Sequence, residues 1–108
     1  MKIMNIDAAI VELKKALVER FGAETAVIIF GSAARGTCDC ESDIDVLVLV
    51  TREVNTKLEE EVFAIAYPIE LSYDVVFGII VYAKEFWDSG LAAAMPLYKN
   101  IAREGITA

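Results

Sequence analysis

From Ile44 to Val50 the chain reads Ile-Asp-Val-Leu-Val-Leu-Val, apolar apart from Asp45. A run of that kind reads as a β-strand covered on both faces, because a strand with one wet face alternates polar and apolar residues. Such a strand needs layers above and below it, and the flanking sequence supplies them. Ile6, Ile10, Leu13, Leu17 and Phe21 recur at spacings of 4, 3, 4 and 4, which predicts an amphipathic helix. Asn5 or Asp7 can cap its start, and Gly22 stands where its C-terminal cap belongs. Thr25 to Phe30 reads as a short buried strand. Asn55 to Tyr67 reads as a second helix, with Leu58, Val62, Ile65 and Ile69 on one stripe and Pro68 ending or kinking it. Tyr73 to Tyr82 is β-rich, with Gly78 inside it as a bulge candidate. Lys84 to Ser89 is a short helical piece, and Pro96 opens a last helix that runs to Arg103 and stops at Gly105. The order α-β-(α)-β-α-β-α-α predicts one α/β (α+β) domain over residues 1–108, a small mixed sheet with helices packed on it.

The head of the apolar run carries the chemistry. In a strand, residues i and i+2 share a face about 6.5 to 7 Å apart. Asp43 and Asp45 therefore point the same way while Ile44 enters the core. Two adjacent carboxylates repel and raise each other's pKa unless cations neutralise them. Magnesium suits such a pair, being a hard ion that takes oxygen ligands and leaves room for triphosphate oxygens. Two ions about 3.5 to 4 Å apart would stabilise the attacking and leaving oxygens of an in-line displacement. Upstream stands Gly31-Ser32-Ala33-Ala34-Arg35-Gly36, a turn able to hold phosphate. Gly31 admits close backbone approach, Ser32 offers a hydroxyl and free N–H groups of a helical turn, and Arg35 is a planar donor for the β- or γ-phosphate. Alone, Gly31-Ser32 would be an ordinary strand-to-helix turn and Arg35 a surface cation offsetting Asp39 and Glu41. Joined to the acidic pair, they form what nucleotide chemistry needs.

The same segment resembles the signature of the DNA polymerase beta-like nucleotidyltransferases: a Gly-Ser pair, a gap filled here by Ala33 to Ser42, then acid-hydrophobic-acid. Gly-Ser-x-Ala-Arg-Gly followed by Ser-Asp-Ile-Asp is similar to the minimal nucleotidyltransferase (MNT) subgroup of small prokaryotic proteins. The specific match covers residues 30–50, and Asn100 to Ile106 is similar to the tail of such proteins. The resemblance implies the polymerase beta-like fold, an ATP or other NTP substrate, two Mg2+ ions and transfer of a nucleoside monophosphate to an acceptor hydroxyl. It also implies a third carboxylate on a neighbouring strand. Asp74, at the head of Asp74-Val75-Val76-Phe77, is the candidate for that metal-holding and catalytic place, with Glu70 as fallback. For the minimal subgroup it implies an antitoxin paired with an all-helical HEPN-type toxin, adenylylated on tyrosine or masked by contact. A catalytically weak module that neutralises by contact is the alternative. Modification of a small molecule, as in aminoglycoside nucleotidyltransferases, is disfavoured because no second domain is present to shape a pocket.

Composition narrows the partners. The net charge of −7 opposes a phosphate backbone, so autonomous nucleic-acid binding is disfavoured. Hydrophobic residues make up 56% of the chain, so some surface is expected to be covered, by a partner protein or in a homo-oligomer. The chain has no histidine, which removes Ser-His-Asp, Cys-His and histidine–metal chemistry. Cys38 and Cys40 stand too close for an unstrained disulfide and lack further soft ligands for zinc, so they read as ordinary loop residues. No apolar run is long enough to span a membrane and no signal peptide is evident, which makes a cytoplasmic location the expectation.

Overall fold

The computed structural model describes residues 2–31 and 43–108. The chain opens with helix α1 (Lys2–Phe21) and strand β1 (Ala26–Phe30); strand β2 (Ile44–Val50), helix α2 (Thr56–Tyr73) and strand β3 (Phe77–Ala83) follow. A short helix α3 (Lys84–Trp87), a 3-10 turn (Ala92–Ala94), helix α4 (Pro96–Glu104) and strand β4 (Ile106–Thr107) complete it. The four strands make one mixed sheet in the order β3-β2-β1-β4. β2 runs antiparallel to β1 and parallel to β3, and β4 adds antiparallel to the far edge of β1.

Strand β2 is covered on both faces, as its composition requires. Ile44, Val46, Val48 and Val50 enter a core with Leu13 and Leu17 of α1 and Val62 and Ile69 of α2. Leu47 and Leu49 enter the opposite one, with Trp87, Ala92 and Ile101. Offset aromatic packing of Tyr82, Trp87 and Tyr98 closes that second layer, with Trp87 and Tyr98 ring centroids 4.9 Å apart. Across the first layer, Arg20 of α1 pairs with Glu61 of α2, and the Tyr73 hydroxyl donates to Glu12 Oε1 at 3.3 Å.

Several element boundaries depart from the sequence expectations. α1 starts at Lys2, so Asn5 and Asp7 lie within the helix rather than at its cap. α2 starts at Thr56, with Asn55, expected as its first residue, serving as the cap whose side chain accepts the Leu58 N–H at 2.8 Å. It then runs through Pro68 to Tyr73. Pro68 is exposed, so the Ala64 carbonyl it leaves without an N–H lies on the wet side, while Ala66 and Ile69 stay buried and hold the last turns down. Asp74 closes the helix in the left-handed conformation (φ 54°, ψ 49°), its N–H donating to the Glu70 carbonyl. Residues 73–76 therefore precede β3, and Gly78 sits in an unbroken β2–β3 register rather than in a bulge. Strand β4 has no counterpart in the sequence reading.

Candidate active site

Side-chain alternation along β2 sends Ile44, 1% exposed, into the core and Asp45 out on the other face. Asp43 is exposed and Asp45 half-buried. Both reach over Gly78, the β3 residue paired with Asp45. A Cβ built on Gly78 would lie 3.3 Å from Asp45 Oδ1 and 3.9 Å from Asp43 Cβ, so the two acids converge on the space its missing side chain leaves. On the other flank β1 ends opposite Asp45, through the Phe30–Asp45 pair. Gly31 follows in a positive-φ conformation (φ +73°), and a Cβ there would lie 2.2 Å from Asp45 Oδ2. Only glycine allows this approach and this dihedral together. The Asp45 carboxylate is thus seated between Gly31, just past the end of β1, and Gly78 of β3, with Asp43 beside it at the amino-terminal end of β2.

Gly31, Asp43 and Asp45 are brought together. Ser32 and Arg35, expected at the phosphates, lie outside the described residues, as do Cys38 and Cys40. Asp74 is exposed at the cap of α2, two residues before Val76, whose carbonyl accepts the Ile44 N–H at 2.8 Å. Among the described residues no three acids or cysteines form a group able to hold a metal ion, so Asp74 does not close with Asp43 and Asp45 into one cluster. Glu70 is engaged elsewhere, its Oε2 accepting the Phe77 N–H at 2.7 Å and tying α2 to the start of β3. Sequence reasoning missed Glu104, the last residue of α4, whose Oε1 accepts the Gly31 N–H at 3.3 Å.

The sequence model of the nucleotidyltransferase domain family matches residues 10–103, a span that takes in Gly31, Asp43, Asp45 and Asp74. The chain belongs to that family. Two proteins of Methanocaldococcus jannaschii, each provisionally named a protein adenylyltransferase, are relatives of this nucleotidyltransferase. One is 31% identical over 103 residues, which are 94% of this chain and 96% of the relative. The other is 45% identical over 58 residues, 54% of this chain and only 59% of that relative's length. Among solved structures, a toxin–antitoxin complex with AMP-PNP superposes with TM-score 0.57 at 18% identity, over 93% of this chain and 69% of that one. A tri-AMPylated Shewanella oneidensis HEPN toxin in complex with an MNT antitoxin gives TM-score 0.51 at 16% identity, over 99% and 71%. At those identities the structures establish the shared fold. The expected fold class is thereby met: this is a mixed α/β nucleotidyltransferase domain.

Proposed function

We propose that the chain is a magnesium-dependent nucleotidyltransferase that moves AMP from ATP to a hydroxyl of a helical, HEPN-type partner protein and acts in the cytoplasm as an antitoxin. The observation that carries the reading is the convergence of Asp43 and Asp45 over Gly78, with Gly31 closed against Asp45. Two carboxylates at a strand end, with glycines instead of side chains on both flanks, fit a site for hard cations and triphosphate oxygens. Bound there, magnesium would offset charge on the attacking and leaving oxygens of an in-line displacement. The chain's own residues do the rest. Gly31 lets the phosphate chain approach the main chain; Ser32 and Arg35 are assigned to donate to its oxygens. Asp43 and Asp45 would hold the cations, and Asp74, which stands apart from that pair at the cap of α2, is proposed as the base that takes the proton of the acceptor hydroxyl. In the transfer, an acceptor oxygen–phosphorus bond forms at the α-phosphate, the bond to the β-phosphate breaks, and pyrophosphate leaves. The names of the relatives and of the structural neighbours support the adenylyl group and the HEPN-type acceptor.

The experiment is incubation of the chain with its helical partner, ATP and magnesium, followed by intact-mass measurement of the partner. The expected result is a gain of one or more AMP units that Asp43→Asn/Asp45→Asn abolishes. No gain with wild type counts against transfer. One observation favours a second reading, neutralisation by contact: α2 exposes Phe63, Tyr67 and Leu71 on one outer stripe, at 49%, 60% and 65%. If Asp74→Asn neutralises the partner as fully as wild type while transferring no AMP, contact suffices.

A further inference from the structure

We infer that Glu104 is a positioning residue of the nucleotide site, holding the Gly31 N–H and so fixing the turn on which the triphosphate lies. The inference rests on the reading of Gly31 as the phosphate turn. Strand geometry leads to it. The N–H and C=O of one strand residue point to the same side, and successive residues alternate. The Val27 carbonyl accepts the Ala108 N–H at 2.8 Å, so Val27, Ile29 and, by the same parity, Gly31 turn their amides toward β4. The β1–β4 register pairs Ile28 with Thr107 and Ile29 with Ile106. Continued by two residues, it sets Gly31 opposite Glu104. Glu104, however, is the last residue of α4 and its main chain is helical, so the ladder cannot continue. Its side chain takes the ladder's place, Oε1 accepting from Gly31 N–H at 3.3 Å in a part-buried contact.

Two further features make this a support rather than an incidental contact. The step from α4 into β4 is tightly seated, since a Cβ on Gly105 would lie 2.6 Å from the Ile101 carbonyl oxygen and 2.9 Å from Ile28 Cγ2. The root of the Glu104 side chain is thereby fixed on β1. Gly31 in turn is the residue against which Asp45 Oδ2 is seated. Its N–H is held from the β4 side and its α-carbon faces the acid of β2, so a displaced Gly31 would move both the phosphate turn and the floor under Asp45.

The test is amide hydrogen exchange at Gly31 together with the KM for NTP, in wild type, Glu104→Gln, Glu104→Ala and Glu104→Asp. Glutamine keeps an acceptor oxygen at the same reach; aspartate keeps the charge on a shorter arm. Wild type and Glu104→Gln are expected to exchange slowly with similar KM. Glu104→Ala and Glu104→Asp are expected to exchange about tenfold faster and to raise KM about tenfold, the size of a lost charge-assisted hydrogen bond. Unchanged exchange in Glu104→Ala, or a Glu104→Gln variant as impaired as Glu104→Ala, overturns the role. So does faster exchange with unaltered KM. Wild type that binds no magnesium–nucleotide overturns the reading of the site and the role of Glu104 with it, whereas loss confined to Asp43→Asn/Asp45→Asn leaves both standing.

Discussion

At Gly31 an added methyl group would meet Asp45 Oδ2 at 2.2 Å while the backbone stays at φ +73°. The left-handed dihedral alone costs an L-residue about 1 to 2 kcal/mol. Gly31→Ala is therefore expected to lower the melting temperature by several degrees and to abolish magnesium-dependent nucleotide binding, both read by thermal shift. Gly78→Ala makes a sharp contrast. Its Cβ would touch Asp45 Oδ1 at 3.3 Å in an ordinary strand conformation, so stability should hold while transfer falls about tenfold or more as the carboxylate is pushed aside. The sequence made the Asp43–Asp45 pair legible, because a two-residue period is a local property of one strand. It did not reveal why Gly78 is glycine. A glycine inside a strand reads as a bulge or as a close approach, and the deciding neighbour sits on another strand.

Helix α2 is the element where local rules and tertiary packing disagree. Pro68 lies inside it with both adjoining turns intact, and the buried Ala66 and Ile69 supply the packing that keeps them so. Pro68→Ala restores an N–H for the Ala64 carbonyl and is expected to stabilise the fold by about 1 to 3 kcal/mol in urea unfolding. The joint between α1 and α2 carries a pH signature. The Glu12 charge, then desolvation, then the hydrogen bond to Glu12 raise the Tyr73 pKa above 10.0. A phenol whose folded pKa is raised contributes stability that is fully present below its unfolded value and is lost as pH climbs through the folded one. A small alkaline loss of stability is expected in wild type and should vanish in Tyr73→Phe, as followed by unfolding against pH with tyrosine absorbance. Strand β2 was legible in full from its apolar run, and the end of α4 from Gly105. The reach of α2 was not, since the residues that overrule Pro68 act through α1 and the sheet.

For the whole molecule, two packed layers enclose β2, and Asp43 and Asp45 stand at its amino-terminal end. No helix among the described residues is long and apolar enough to cross a membrane. A net charge of −7 favours an acceptor that is not itself a polyanion, in keeping with a protein hydroxyl. What the sequence left dark at this scale is the return of the chain to β1. Ile106–Thr107 is too short to show a period, so neither β4 nor the approach of Glu104 to Gly31 could be read before the sheet was assembled. Asp43 and Asp45 are proposed to make a magnesium-dependent nucleotide site. The direct measurement is the melting temperature of wild type and Asp43→Asn/Asp45→Asn with each NTP, with and without magnesium. A ligand at about 100 times its dissociation constant adds roughly 2.7 kcal/mol, several degrees for a domain of this size. A rise with ATP that requires magnesium and is absent in the double variant is expected; no rise with any nucleotide, or an equal rise in the double variant, would rule the site out.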